Sequence, residues 1–507
     1  MIYSMKNSPV IDVSSLKHLR ERIESLKKME SFPYAEEIDT VMITPVFTCL
    51  PDDRLSYAIK EMARRNISSV VVTDREGHPV GILTERDLLK WLSRFQREIP
   101  VDRLTVSQLM TPDPVTLKPD DTIYHALSVL SIKGIKHLPI VRDGKVTGIV
   151  TLRHLLKLRH PEPLMIINKI NRARTVDELR AVKMHLPMLA AEKLSIGINS
   201  LEIVKMISLI NQDIHRRMIE LVVEEMGNPP DEISIFVSGS HGRMESLFTA
   251  DQDHAMIIED SGRYYENQQY YIEFARRFSR GLDSIGYQTC PGYIMSVNPT
   301  WRKPLSEWKI QILYWFESQI DALTRYLTIL YDSYPIYGNQ HLFNTLMDFA
   351  YNVLESHHEA LRLLHEEEGT HKVPIGLFGN IITEKTGPHR GELDIKRSGL
   401  IFIVETVRIL ALKYGVRETS TIKRIEALVE KGAIHRDDGE YFVSAFTILL
   451  HYALKAQVMK SLEGEKIDTY IRPSRLSSHD RDLLKQAFKA VSALQEIVSA
   501  ELGELVL

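Results

Sequence analysis

Cysteine is nearly absent from this 507-residue chain, with Cys49 and Cys290 the whole supply. Two thiols so far apart in sequence build neither a disulfide framework nor a cysteine metal knuckle, and they fit a reducing cytoplasm. An excess of one charge is lacking too. Lys and Arg total 63 against 67 Asp and Glu, a net charge of −4, so no overall field draws the chain to nucleic acid and an RNA acceptor is disfavoured. No apolar run, Leu400 to Val404 included, approaches the roughly 20 residues of a membrane span. The opening MIYSMKNSPV lacks the apolar core of a signal peptide, so no membrane partner is expected. What remains is ordinary globular material: 44% hydrophobic residues, in a chain long enough for about three or four domains.

The densest chemistry lies in Ile233 to Glu259, ISIFVSGSHGRMESLFTADQDHAMIIE. Ile233 to Val237 reads as a short buried strand that stops at the turn Ser238-Gly239-Ser240. Gly242 to Leu247 can start a helix there, whose unpaired N–H groups would face a phosphate, with Ser240 adding a hydroxyl and Arg243 a charge. Asp251-Gln252-Asp253 then leads into the apolar run Ala255 to Ile258. Strand geometry turns carboxylates at i and i+2 to one side. That pair suits Mg²⁺ (or Mn²⁺), which takes few protein carboxylates and completes its shell with water and substrate phosphates.

Joined as G-S-x-G-R-x-E followed by D-x-D, these residues resemble the nucleotidyltransferase superfamily, in the group related to protein-PII uridylyltransferase and glutamine synthetase adenylyltransferase. They are most similar to the DUF294 nucleotidyltransferases, usually found with CBS domains. Cys290-Pro291-Gly292 with Met295, Asn298-Pro299-x-Trp301, Tyr331-Asp332, Leu393-Asp394-Ile395-Lys396 and Ala411-Leu412 agree with that resemblance. It implies Asp251 and Asp253 as metal-binding catalytic residues, with Gly239, Ser240, Gly242, Arg243 and Glu245 on the nucleotide, Glu245 orienting Arg243 or a helix N-terminus. It also implies a third carboxylate, expected at Asp332, with Glu307 behind it. Asp394 and Lys396 are further candidates for the triphosphate or its metal; the alternative is a charged helix entry. The chain departs from the family at His241, Ser246, Ala250 and His254, and it has Tyr331-Asp332-Ser333-Tyr334 where F-D-x-R is usual, so an expected arginine is missing.

Before this motif the chain repeats itself, and repeats decide architecture more reliably than local propensity. Thr44-Pro45 recurs as Thr111-Pro112, Pro51-Asp52-Asp53 as Pro119-Asp120-Asp121, and Gly81-Ile82-Leu83-Thr84 as Gly148-Ile149-Val150-Thr151. Each copy reads strand, helix, strand, turn, strand, helix, and the two resemble a tandem pair of CBS domains (residues 41–93 and 105–160). That family places the Thr of G-h-x-T-x-x-D on a phosphate and its Asp on ribose hydroxyls. Thr84 and Asp87 match in the first copy; in the second, Thr151 matches but His154 replaces the Asp. An adenosine nucleotide (AMP, ADP, ATP or a related ligand) and dimerisation through the CBS domains are the implied partners. The alternative for Asp87 is a helix cap.

The expected fold class is α/β plus all-α. Its parts are an amphipathic helix in 1–40 (Leu16, Leu19, Ile23, Leu26), the βαββα CBS pair in 41–160, helices joining sensor to transferase over 161–228, a mixed α/β nucleotidyltransferase domain over 229–340 and a helical lid over 341–507. Tyr287 to Val297 is expected as that domain's third strand. The expected function is a cytoplasmic, CBS-regulated transferase of a nucleoside monophosphate from a nucleoside triphosphate to a hydroxyl, which the uridylyltransferase resemblance implies is on a protein tyrosine; the alternative is a catalytically inactive adenosine-nucleotide sensor. His357-His358 lack the i, i+4 spacing of a shared metal and His479-Asp480 lacks the further His and Asp ligands of a metal site, so no zinc is expected.

Overall fold

A computed structural model describes residues 37–94, 101–152, 155, 162–317, 321–357, 359–368, 372–376 and 379–503. The expected N-terminal helix and His154 lie outside these residues. The chain divides into two compact units, residues 31–171 and 172–507.

In the smaller unit β1 (Thr48–Cys49) leads to α1 (Leu55–Arg65), β2 (Ser69–Thr73), β3 (Pro79–Thr84) and α2 (Glu85–Arg94). The second copy follows as β4 (Thr111–Pro112), α3 (Ile123–Lys133), β5 (His137–Arg142) and β6 (Lys145–Thr151). Each copy lends its leading segment to the other: β4 pairs with β3 of the first copy, and Ile43 bridges Ile149 in the second. The repeated glycines follow from that exchange. A Cβ on Gly81 would lie 2.4 Å from Met110 Sδ, and one on Gly148 2.5 Å from Met42 Sδ, so in each copy the crossing segment's methionine fills the space a side chain would need.

A helix over Glu162–Arg172 (α4) precedes the larger unit. There α5 (Val176–Ser195) and α6 (Ser200–Met226) pack on the transferase body instead of spanning open space. The inward face of α6 carries Asn211, Gln212 and His215 fully or nearly buried. The central sheet has the order β11-β9-β7-β12, from β7 (Ile233–Val237), β9 (His254–Ile258), β11 (Arg302–Pro304) and β12 (Tyr334–Gly338). Every residue of β7 and β9 is buried, because helices α9 (Leu305–Glu317) and α11 (Gln340–Ser356) pack against them. After β7 comes α7 (Gly239–Gly242), a single turn, then β8 (Asp251–Gln252). Following β9, α8 (Tyr264–Ile285) leads to β10 (Gln288–Thr289), and α10 (Asp321–Leu330) separates α9 from β12.

Two local expectations change. The stretch Tyr287 to Val297 supplies only β10, which pairs in parallel with β8; the strand added beside β9 is β11, since the chain turns at Cys290, where Tyr293 N–H donates to its carbonyl. The helix expected from Gly242 ends there, and Met244 adopts a left-handed φ of 62°.

Beyond α12 (Glu359–Glu368), β13 (Leu393–Asp394) leads through a wide helical turn, Lys396–Leu400, into α13 (Ile401–Lys413), α14 (Thr421–Glu430) and α15 (Arg436–Glu463). Then come β14 (Tyr470–Ile471), paired with β13, and α16 (Ser478–Gly503). Among the described residues α15 alone is long and apolar enough to cross a membrane, and it is mostly buried inside the protein. His479-Asp480 sits at the start of α16, where Asp480 accepts from the Tyr452 hydroxyl at 2.7 Å and the Ser477 hydroxyl at 2.7 Å.

Candidate active site

The turn after β7 is shaped by Gly239, whose φ of +62° is a conformation that side chains rarely adopt. It also brings the backbone against a carboxylate: a Cβ on Gly239 would stand 3.1 Å from Asp253 Oδ2. The Ser238 N–H donates to the Asp253 carbonyl at 3.0 Å, which fixes the turn and the second aspartate in one register. Behind the turn, α6 supplies support that sequence periodicity does not single out. Gln212 Nε2 donates to the His241 carbonyl at 2.8 Å, and the Ser246 N–H donates to Ser208 Oγ at 2.8 Å.

Asp251 and Asp253 are half-buried, with Gln252 and His254 between and after them turned inward, as the two-residue period requires. Burial pushes the Asp253 carboxyl up to about 6, with Asp251 adding to the shift while Cys290, Lys396 and Arg243 oppose it. Burial raises Asp251 as well, against the pull of Lys396 and Arg397. Asp253 Oδ1 is buried without a hydrogen-bond partner among the described residues. An orphaned carboxylate oxygen beside a second carboxylate fits a divalent cation. No group of three or more His, Cys, Asp or Glu among the described residues is placed to hold a metal, so an ion here would keep water or phosphate oxygens in its shell.

Asp332, expected as the third carboxylate, has both oxygens engaged by arginines. It is fully buried, Oδ1 accepts from Arg424 Nη1 at 2.6 Å, and Oδ2 accepts from Arg243 Nη1 and Arg408 Nη1, both at 2.6 Å. Against a burial that would raise it, Arg424, Arg408 and Arg243 hold this carboxyl far below the ordinary range, which makes it a poor base. Glu307 lies at an exposed contact, accepting from the Tyr265 hydroxyl at 2.7 Å.

Arg243 is clamped: Nε donates to Glu245 Oε2 at 2.8 Å and Nη1 to Asp332. Its Nη2 makes no hydrogen bond to the described residues, and its charge is felt at Asp253. Glu245 reaches a helix N-terminus as well, because its Oε1 accepts from the Thr421 N–H at 2.7 Å.

Asp394 and Lys396 separate. Asp394 is buried and its Oδ1 accepts from the N–H groups of Lys396 (3.0 Å) and Arg397 (3.2 Å) and from the Thr469 hydroxyl (2.6 Å). These bonds make Asp394 Oδ1 the anchor of the charged helix entry that follows, tied also to Thr469. Lys396 is exposed and its charge acts on both Asp251 and Asp253.

His241 and His254 face the core, not the site. Burial, followed by the neighbouring His215, holds His241 well below the ordinary range and His254 at about 3. Their rings pack on His215 (4.9 Å) and Phe278 (4.6 Å).

In the smaller unit, Asp87 Oδ2 accepts from Thr84 N–H at 3.0 Å and Thr84 Oγ1 at 2.6 Å, an arrangement that caps α2. A cavity of about 230 Å³ is lined by Thr44, Pro45, Val46, Thr48, Thr73, Gly77, Val146 and Thr147. Thr84, Asp87 and Thr151 are not among its walls.

Comparison with known families matches residues 185–321 to "Putative nucleotidyltransferase DUF294", residues 358–502 to "Putative nucleotidyltransferase substrate binding domain" (DUF294_C), and residues 35–94 and 106–160 to the CBS domain. The first of these takes in α6 and part of α5. The chain is similar to an uncharacterized 17.7 kDa protein of Acidianus ambivalens, 34% identical over 24% of this chain and 73% of that protein. A CBS domain-containing protein of Dictyostelium discoideum is 31% identical over 24% of this chain and 89% of its own length. The A-adding tRNA nucleotidyltransferase of Aquifex aeolicus is 29% identical over 28% of this chain but only 16% of that enzyme.

Proposed function

The chain belongs to the CBS-domain proteins and carries, beside its CBS pair, the DUF294 and DUF294_C nucleotidyltransferase domains; from that premise we propose a Mg²⁺-dependent transfer of a nucleoside monophosphate from a nucleoside triphosphate to a hydroxyl. The observation that carries the reading is Asp253, whose buried, unpartnered Oδ1 stands beside Asp251. The two carboxylates would hold the cation, which when bound neutralises triphosphate charge and polarises the α-phosphorus. Gly239 leaves room for the Asp253 carboxylate. Arg243 Nη2 and Lys396 would offer N–H donors to the phosphates, and Lys396 its charge. The acceptor oxygen bonds the α-phosphorus, the bond to the bridging oxygen breaks, and pyrophosphate and a proton leave. A protein tyrosine is the acceptor that the uridylyltransferase resemblance favours.

An adenosine nucleotide on the CBS pair regulates the transfer in this reading. Linkage then requires it to change triphosphate affinity by the same factor as the triphosphate changes its own. The deciding experiment incubates the chain with each α-labelled triphosphate, Mg²⁺ and cell lysate. Labelled product with pyrophosphate, lost in Asp251→Asn and Asp253→Asn, is the expected result; product formation undiminished in both variants sinks it. A second reading, a nucleotide sensor without turnover, is favoured by the burial of Asp332, the expected third carboxylate, among three arginines. It predicts triphosphate binding without pyrophosphate release.

A further inference from the structure

Both carboxylates that clamp Arg243 are themselves bonded to one helix end, the start of α14, and Asp332 is bonded to Arg408 of α13 besides. Glu245 gives Oε2 to Arg243 and Oε1 to the Thr421 N–H; Asp332 gives Oδ2 to Arg243 and Oδ1 to Arg424. Thr421 is the first residue of α14 and Arg424 lies one turn on. Arg424 is 1% exposed and is itself immobilised, donating from Nε to the Glu418 carbonyl at 2.7 Å and from Nη2 to the Tyr331 carbonyl at 3.0 Å. A long, flexible arginine is thus fixed on two of its three nitrogens through a relay that begins in the helical domain. A fixed guanidinium loses less freedom when it meets a phosphate than a mobile one.

We propose that Arg424, with the N-terminus of α14, is a positioning element for Arg243, so that the helical domain sets the aim of the phosphate-facing guanidinium without touching the nucleotide. This rests on the nucleotidyltransferase reading for the ligand of Arg243, but the relay itself is independent of it.

The test is a double-mutant cycle on the full chain, with binding of a non-hydrolysable triphosphate and Mg²⁺ followed by calorimetry. Arg424→Gln and Arg243→Gln should each weaken binding about tenfold, and the double variant no more than Arg243→Gln alone, because residues in one network couple. Arg424→Lys, which keeps a cation near Asp332, should recover part of the loss. Additive losses in the double variant, or wild-type binding by Arg424→Gln, overturn the proposal. Should Arg424→Gln fail to fold, Thr421→Pro removes the N–H that Glu245 accepts at a first helical position, where proline fits. The Ser420 ψ of 134° before it suits that ring. Thr421→Pro should weaken binding in the same way; unchanged binding counts against the relay.

If Arg243→Gln binds as wild type, the phosphate role of Arg243 fails. The relay is then read from the Arg243 Nε–Hε resonance, assigned by its loss in Arg243→Gln. Displacement or broadening of that signal in Arg424→Gln or Thr421→Pro supports positioning, and an unmoved signal overturns it.

Discussion

A side chain on Gly242 would collide with the backbone of Asp332: its Cβ would lie 1.9 Å from the Asp332 carbonyl oxygen and 3.0 Å from that of Val237. The turn after β7 and the segment entering β12 are therefore in backbone contact at the base of the site. Neither neighbour is a flexible tip that can swing away. Gly242→Ala should cost about 3 kcal/mol or more, the upper end of overpacking, and should weaken triphosphate binding with it. Urea unfolding beside calorimetry checks both; a variant within about 0.5 kcal/mol of wild type contradicts this close approach.

Asp253 should reveal itself through pH. Its folded carboxyl is raised to about 6 from 3.8, so the folded chain binds the proton more tightly than the unfolded one. Stability contributed by this group therefore falls as pH rises between those values, and the full penalty is present above about pH 6. Asp253→Asn carries no such penalty. In metal-free buffer it should be more stable than wild type above pH 6, by about 1–3 kcal/mol, with the advantage vanishing near pH 4, while transfer is lost. Urea midpoints across pH 4 to 8 in chelator check the sign, and a variant less stable than wild type at pH 8 contradicts it.

Asp332→Asn separates structural from chemical roles. Removing one partner of a buried ion-pair cluster leaves guanidinium charge uncompensated and costs about 3–5 kcal/mol. The loss should appear in nucleotide-free unfolding. A catalytic carboxylate would instead leave the melting temperature nearly unchanged and abolish turnover.

Asp87→Ala should unfold the smaller unit more easily, by about 0.5–2 kcal/mol, because it removes the acceptor that caps α2. AMP affinity should fall in the same variant. Thermal melting without ligand and an AMP isotherm measure the two effects, and an unchanged isotherm assigns Asp87 to the cap alone.

Much of the architecture was legible because it is written in short-range patterns. The recurrence of Thr-Pro, Pro-Asp-Asp and Gly-h-h-Thr revealed two copies of one unit, and the helical spacing of Ile203, Met206, Ile207 and Ile210 revealed α6. Periodicity showed that α6 was apolar on one side but not what that side covers. Gln212 and Ser208 hold the turn at His241 and Ser246 from 29 and 38 residues away, and no local pattern records such a partner.

Sequence alone puts Asp251 and Asp253 on one side of the backbone after a Gly-Ser turn, since a two-residue period and a turn glycine are local properties; in the fold Asp251 opens β8 and Asp253 falls between β8 and β9. Which other charges join them was decided only by tertiary structure. Asp332 meets Arg408 and Arg424 across 76 and 92 residues, and Glu245 meets Thr421 across 176. A carboxylate between guanidinium groups and one open to a cation read alike in sequence. They differ in burial and in which groups surround them, and folding alone sets those, by bringing the start of α14 against the turn after β7.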